Sequence, residues 1–411
     1  MIYNRLIVAA IGFIRLEPYD GKLSRTVLRG GKDSNALLLP DYASVEMLHH
    51  PEFAGMALWQ AKQICPEIIF VRPRMDLYLR FSQMAREIYS AYTDKIEPYG
   101  IDEAWLDVSD SRNLKGSGMT IAREISHRIK YELGVTVSIG ISWNKIYAKL
   151  GSDYKKPDAI TEFNRENYKD RIWQLPASDL LYVGRQTNKK LQKFGIRTIG
   201  QLAESDEKLL ESHFGKIGNV LWAFANGWDE DPVCKEGYEA PVKSIGNSTT
   251  TPRDLENDLD VWIIQIALAE SVAARLRKHG FKCKTVEITV LDNGLYSFSR
   301  QIHLRQPTNI TNEIVTAAFQ LFKDNYKWEH PIRSLGIRAA DLVLDDIPVQ
   351  LDLFGNQEKK EKLEKLDRTV DEIRRRFGYF SIQRAAMYQD KVLSHLDAGT
   401  HTIHPHSYFH R

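Results

Sequence analysis

Apolar residues recur at helical spacing in several parts of the chain. Across residues 262–278, Ile263, Ile264, Ala267, Leu268, Val272 and Leu276 share one broad stripe, which predicts an amphipathic helix. Residues 82–92 and 120–133 predict two more, and a shorter helix ends near Phe194 with Gly195 as its C-cap. Residues 357–377 are highly charged and helix-forming. Alternation by two marks the strands. Thr285-Val286-Glu287-Ile288-Thr289-Val290 alternates and runs towards the turn sequence Asp292-Asn293-Gly294. Val135-Thr136-Val137-Ser138-Ile139 is short and β-branched, and Ser334-Leu335-Gly336-Ile337-Arg338 predicts a further strand. Leu37-Leu38-Leu39-Pro40 suggests a short one.

These elements divide the chain. Residues 1–40 carry no motif, 41–165 read as an α+β unit, 166–232 as a small helical one, and 241–346 as an α/β unit after a linker at 233–240. A tail occupies 347–411. A chain of 411 residues has room for roughly two to four domains. Hydrophobic content of 43% and charged content of 27% are those of an ordinary soluble protein. The net charge of +2 does not by itself announce a nucleic-acid binder. Residues 241–340 hold 13 Lys and Arg against 10 Asp and Glu, an excess compatible with phosphate binding. Cys65, Cys234 and Cys283 are odd in number and far apart, which suggests reduced thiols in a cytoplasmic protein. The apolar run from Leu6 to Ile14, between Arg5 and Arg15, is too short to span a bilayer.

The chemistry points to Ile101-Asp102-Glu103-Ala104-Trp105-Leu106-Asp107. Two adjacent carboxylates in an apolar setting repel, and burying them without compensation is costly. A bound hard cation such as Mg²⁺, shared with substrate phosphates, resolves the conflict. The alternative is a solvated Asp-Glu turn at the start of a strand.

This stretch resembles the palm signature of Y-family translesion DNA polymerases, in the DNA polymerase IV-like branch. A second block agrees with it: Ser138-Ile139-Gly140-Ile141-Ser142-Trp143-Asn144-Lys145, then Ala148-Lys149, Ser152-Asp153 and Lys155-Lys156-Pro157. The resemblance runs from about Asp41 to about residue 390. It implies an α+β fold with a ferredoxin-like palm (41–165), a helix-hairpin-helix thumb (166–232), an α/β little finger (241–346) and a helical C-terminal tail. It implies a DNA-directed DNA polymerase of translesion synthesis and DNA repair, working by two-metal nucleotidyl transfer with Mg²⁺. Asp102 would bridge both ions and Glu103 would hold the one that activates the primer hydroxyl, with Asp107 structural or exposed. Lys156 matches the lysine that touches the incoming triphosphate. Tyr42, within Tyr42-Ala43-Ser44-Val45-Glu46, falls at the steric gate against a 2′ hydroxyl. Asn144 and Lys145 would position the site and contact template.

Gly184 and Gly195 would let thumb amides approach a DNA phosphate, and a related turn recurs at Phe214-Gly215-Lys216-Ile217-Gly218. The alternative is two helical hairpins packed only on each other. Lys243 and Ser244 would meet the template backbone. Gln350, Leu351, Leu353 and Phe354 resemble the short peptide that docks on a sliding clamp, the alternative being a hydrophobic staple onto the last domain. The implied partners are primer–template DNA, a deoxynucleoside triphosphate and the sliding clamp, with no membrane and a monomeric chain. His401, His404, His406 and His410 read as a disordered polar end rather than a metal tract.

The chain departs from the family twice. The catalytic aspartate expected five residues before the gate tyrosine is replaced by Leu37, and the phenylalanine before the gate by Asp41. After Pro51-Glu52-Phe53-Ala54-Gly55 the chain passes at once to Met56-Ala57-Leu58, without the long stretch that builds most of the fingers. Both losses predict weak nucleotide binding and low turnover. They leave a second reading, a catalytically impaired homologue that acts as a DNA- and sliding-clamp-binding module.

Overall fold

A computed structural model describes residues 7–11, 58–66, 75–238, 241–346 and 357–396. Tyr42, the run at 37–40, the peptide from Gln350 to Phe354 and the terminal histidines lie outside these residues. The chain forms two compact units that divide after Glu239.

The first unit is built on a five-stranded sheet: β1 (Ile7–Ile11), β2 (Ile96–Tyr99), β3 (Glu103–Asp107), β4 (Ser138–Ser142) and β5 (Ile160–Glu162), in the order β2-β3-β1-β4-β5. All neighbours are antiparallel except β4 and β5. Its helices are α1 (Leu58–Ile64), α2 (Met75–Ser90), α3 (Arg112–Lys115), α4 (Gly118–Arg128) and α5 (Lys145–Tyr154), with α4 running on as a π-helical turn at Ile129–Leu133. Ile88, Ile121, Ile125 and Ile129 from the helices pack on Ala104, Leu106, Ile139 and Ile141 of the sheet.

Two sequence expectations shift here. The segment 1–40 carried no motif, yet Ile7–Ile11 forms the middle strand, so the sheet expected within 41–165 draws on residues before 41. Five apolar residues in a row carry no period that separates strand from helix. The strand expected at 135–139 instead spans Ser138–Ser142, because pairing with β1 begins only at Ser138, opposite Ile11.

The same unit continues into five short helices: α6 (Tyr168–Ile172), α7 (Arg185–Lys193), α8 (Ile199–Ala203), α9 (Glu207–Phe214) and α10 (Lys216–Ala225). Leu180, Leu191, Ile199, Leu202, Leu210 and Leu221 form their core, shared with Tyr147 and Leu150 of α5. Gly218 makes the crossing of α9 and α10 possible, since a Cβ there would sit 2.3 Å from the Leu210 carbonyl oxygen. The expected linker is partly committed: Val233 packs against Trp105, and the Cys234 amide donates to Glu97 Oε2 at 2.9 Å.

The second unit runs β6 (Ser244–Leu255), α11 (Asp258–Lys278), β7 (Phe281–Asp292), β8 (Ser297–Thr308), α12 (Thr311–Asn325) and β9 (Ile332–Leu344). Its sheet is antiparallel throughout, in the order β6-β9-β7-β8. Asn257 caps α11, its side chain accepting from the Asp260 amide at 3.0 Å. The apolar stripe of α11 packs on Val286, Ile288 and Ile337 of the sheet and on Ile314 and Phe322 of α12. Then α13 (Gln357–Phe377) and α14 (Lys391–Ser394) fold back onto the same unit. Cys65, Cys234 and Cys283 are free thiols. Among the described residues no helix is long and apolar enough to cross a membrane.

Candidate active site

The site begins with a tight hairpin. Tyr99 pairs with Glu103, so only Gly100, Ile101 and Asp102 make the turn. Gly100 adopts φ +81°, the left-handed region that glycine enters without strain. Along β3 the side chains alternate. Ala104 and Leu106 join the helix-covered core, while Glu103 and Trp105 share the opposite face.

Helix α5 covers that face. Asn144 caps it, accepting from the Tyr147 amide at 2.8 Å. Gly140 lets the helix lie flat on β4, because a Cβ there would fall 1.8 Å from the Ala148 carbonyl oxygen. The Trp105 indole donates to the Lys145 carbonyl at 3.0 Å and fixes the near end. These contacts bring Lys149 over the acids. Its Nζ lies 3.2 Å from Glu103 Oε1 and 2.7 Å from Asp153 Oδ2. Lys156 Nζ lies 2.7 Å from Asp153 Oδ1.

The acids are under strain from burial. Desolvation lifts Glu103 to about 7; Lys149 pulls it back and Asp102 pushes it further. Asp102 is also raised, again chiefly by desolvation, against the pull of Lys156 and Lys149. Asp153 goes the other way: burial acts upwards on it, but Lys149 and Lys156 together outweigh it. Lys149 stays charged because Glu103 and Asp153 overcome its own burial. One atom has no compensation at all. Glu103 Oε2 is buried without a hydrogen-bond partner.

An orphaned carboxylate oxygen beside a second carboxylate is a donor set that fits one hard divalent cation completed by phosphate and water oxygens. Among the described residues no group of three or more His, Cys, Asp or Glu side chains gathers to hold a metal. The strand beside β3 places Ile11 opposite Glu103, and Ile7-Val8-Ala9-Ala10-Ile11 contains no acid. A second ion would therefore need a ligand that β1 does not supply.

Known proteins agree with this architecture. The chain matches the impB/mucB/samB family over residues 52–153, the C-terminal domain of that family over 242–353, and the thumb domain of DNA polymerase-iota over 178–229. It is 45% identical over 386 residues to DNA polymerase IV of Acetivibrio thermocellus, covering 86% of this chain and 97% of that protein. The chain belongs to the Y family of translesion DNA polymerases. DNA polymerase IV 2 of Bacillus subtilis is 37% identical over 336 residues, covering 80% of each. A solved Y-family DNA polymerase chimera superposes with a TM-score of 0.68 at 20% identity, over 82% of this chain and 99% of its own, which shows the fold.

Other Y-family positions stand as follows. Lys145 is a correction. Its Nζ pairs with Glu97 Oε2 at 2.6 Å, lies over the Trp105 ring, and has a side chain only 8% exposed. A buried ammonium committed to a half-buried carboxylate does not reach a template strand, so Lys145 is structural. Asn144 is likewise a positioning residue. Besides capping α5 it donates to the Gly227 carbonyl at 2.7 Å, tying the palm to the end of the thumb. Asp107 is structural as expected: it is buried and accepts from the Ser109 amide at 3.0 Å.

Gly184 opens α7 and Gly195 closes it with φ +78°, and neither would meet a neighbour if given a Cβ. The Gly195 amide itself donates to Gln192, so its opening is steric. Lys243 is exposed and Ser244 begins β6 opposite Ala340. The sequence assigned no role to Lys149 or Asp153. Their i, i+4 spacing on one helix face was the available signal.

Proposed function

We propose that this chain is a DNA-directed DNA polymerase of translesion synthesis and DNA repair. It transfers a nucleotidyl group from a deoxynucleoside triphosphate to a primer 3′ hydroxyl on primer–template DNA. The observation that carries the reading is Glu103 Oε2, a buried carboxylate oxygen with no partner, next in the chain to Asp102 and on a carboxylate whose other oxygen is held by Lys149. In this reading Asp102 and Glu103 hold Mg²⁺, which when bound neutralises developing charge on the phosphates. Lys156, steadied by Asp153, offers its ammonium to the triphosphate. Tyr42 excludes a 2′ hydroxyl. The open surfaces at Gly184 and Gly195, at the two ends of α7, admit a duplex phosphate, and Lys243 and Ser244 take the template backbone. Gln350, Leu351, Leu353 and Phe354 dock on a sliding clamp. The protein works in the cytoplasm as a monomer.

Primer extension with Mg²⁺ tests the core of this. Asp102→Asn and Glu103→Gln should each lose roughly a hundredfold or more in rate, about 3 kcal/mol of transition-state stabilisation. Extension by either variant at the wild-type rate would refute the assignment. Leu353→Ala with Phe354→Ala should abolish clamp capture while DNA affinity holds; undiminished capture removes that role.

One observation favours the second reading, a binding module of low turnover. The strand paired with β3, Ile7–Ile11, contains no acidic residue to serve as a further metal ligand. Salt-sensitive DNA binding with no incorporation, in Mg²⁺ or Mn²⁺, decides for it.

A further inference from the structure

The acid hairpin faces a set of charges that does not cancel. When ionised, Asp102, Glu103 and Asp153 supply three negative charges, and Lys149 and Lys156 two positive ones. Lys149 is the member without a role in the reading above, although it is the one in contact with Glu103. Its side chain is 15% exposed and it bridges two carboxylates on two elements, Glu103 of β3 and Asp153 of α5. It takes Oε1 of Glu103 and leaves Oε2 bare. A surface ion pair would need neither the burial nor the second acid.

We infer that Lys149 is a positioning residue: a resident ammonium that fixes Glu103 through Oε1, leaves Oε2 for the cation, and keeps the site from capturing a cation tightly before nucleotide arrives. The inference rests on the reading of Asp102 and Glu103 as cation ligands. Two effects follow from one charge. Within a few ångströms an ammonium repels a divalent ion, so its presence weakens cation binding to the empty site. By anchoring one carboxylate oxygen it also holds the other in a fixed place, which matters only when the reacting groups are assembled. Its loss should therefore tighten binding and slow the reaction. A residue that merely supported the fold would weaken both.

The test is a titration of the full chain with Mn²⁺ alone, without DNA or nucleotide, following free Mn²⁺ by electron paramagnetic resonance. Lys149→Met should bind Mn²⁺ about tenfold more tightly than wild type. Lys149→Gln, neutral but polar, should do the same if the first variant folds poorly by thermal melting. Lys149→Arg should stay within about twofold of wild type, since it keeps the charge. At saturating Mn²⁺ the neutral variants should extend a primer more slowly, with the loss in kcat rather than in KM for nucleotide. The double variant Asp102→Ala, Glu103→Ala calibrates the site. If it no longer binds Mn²⁺ but the neutral Lys149 variants bind it equally or more weakly than wild type, the inference is overturned and the ligand reading stands. If wild type and double variant bind alike, the ligand reading fails and takes the inference with it.

Discussion

Two buried clusters of charge stand in the two units, and they are balanced differently. In the second unit, Arg277 reaches Asp371 at 2.6 and 2.9 Å and Asp367 at 3.2 Å, and donates to the Asn309 carbonyl at 2.7 Å. Glu270 takes Arg374 and Arg384, each at 2.9 Å, and Tyr379 Oη at 3.2 Å. Three arginines meet three acids, and together they fasten α13 and the segment after it to α11. At the hairpin of the first unit, Glu103 and Asp153 pair with Lys149 and Lys156, Asp102 adds a third acid within their field, and a carboxylate oxygen is left over. The physics is the same in both places: charge taken from water must be repaid by partners. Where the partners are complete the cluster is an attachment. Where they are incomplete, a buried carboxylate oxygen is left without a partner.

The contrast can be broken most directly at its closed end. Arg277→Met leaves Asp367 and Asp371 facing an apolar side chain, and should destabilise the second unit by about 3–5 kcal/mol. Urea unfolding of the full chain, followed by the tryptophans of that unit, measures it; a change below about 1 kcal/mol would mean that the arginine cluster is not an attachment.

The open end should respond with the opposite sign. The folded-state pKa of Glu103, about 7, lies above its ordinary value of 4.5, so between these values the folded chain holds a proton that the unfolded chain has released. Stability from this group is therefore present at low pH and is lost as pH rises through 7. Glu103→Gln should remove that slope and stabilise the metal-free protein at pH 8 by about 2–3 kcal/mol. Unfolding midpoints in EDTA from pH 5 to pH 8 check this, and a variant less stable than wild type at pH 8 would show that the acid is compensated after all.

The smallest effect sharpens the question of what surrounds the open site. Gly195→Ala places a Cβ at φ +78° and should cost about 1 kcal/mol in stability, with no steric clash added. If the thumb turn meets DNA, the same change should weaken duplex binding several-fold in filter binding. Unaltered binding would mark it as a packing turn.

Much of this was legible in one dimension. The helix read at residues 357–377 is α13 itself, and the stripe at 262–278 lies inside α11. The acid pair was visible because Asp-Glu flanked by apolar residues is a local conflict of chemistry. What could not be read depended on partners distant in the chain. Lys145 looked like a template contact until Glu97, 48 residues earlier, was found to hold it. Ile7–Ile11 carried no period, and its place in the sheet is set by β3 and β4, which lie far downstream.

By itself, then, the sequence determined several of the helices and strands, the family and the conflict at the two adjacent acids, because periodicity and side-chain chemistry are properties of neighbours along the chain. The tertiary structure decided which acid oxygen lacks a partner, which lysine supplies the counter-charge and which is withdrawn into the core. Burial and Coulomb energy depend on distances in space, and only folding brings Glu103 within 3.2 Å of Lys149.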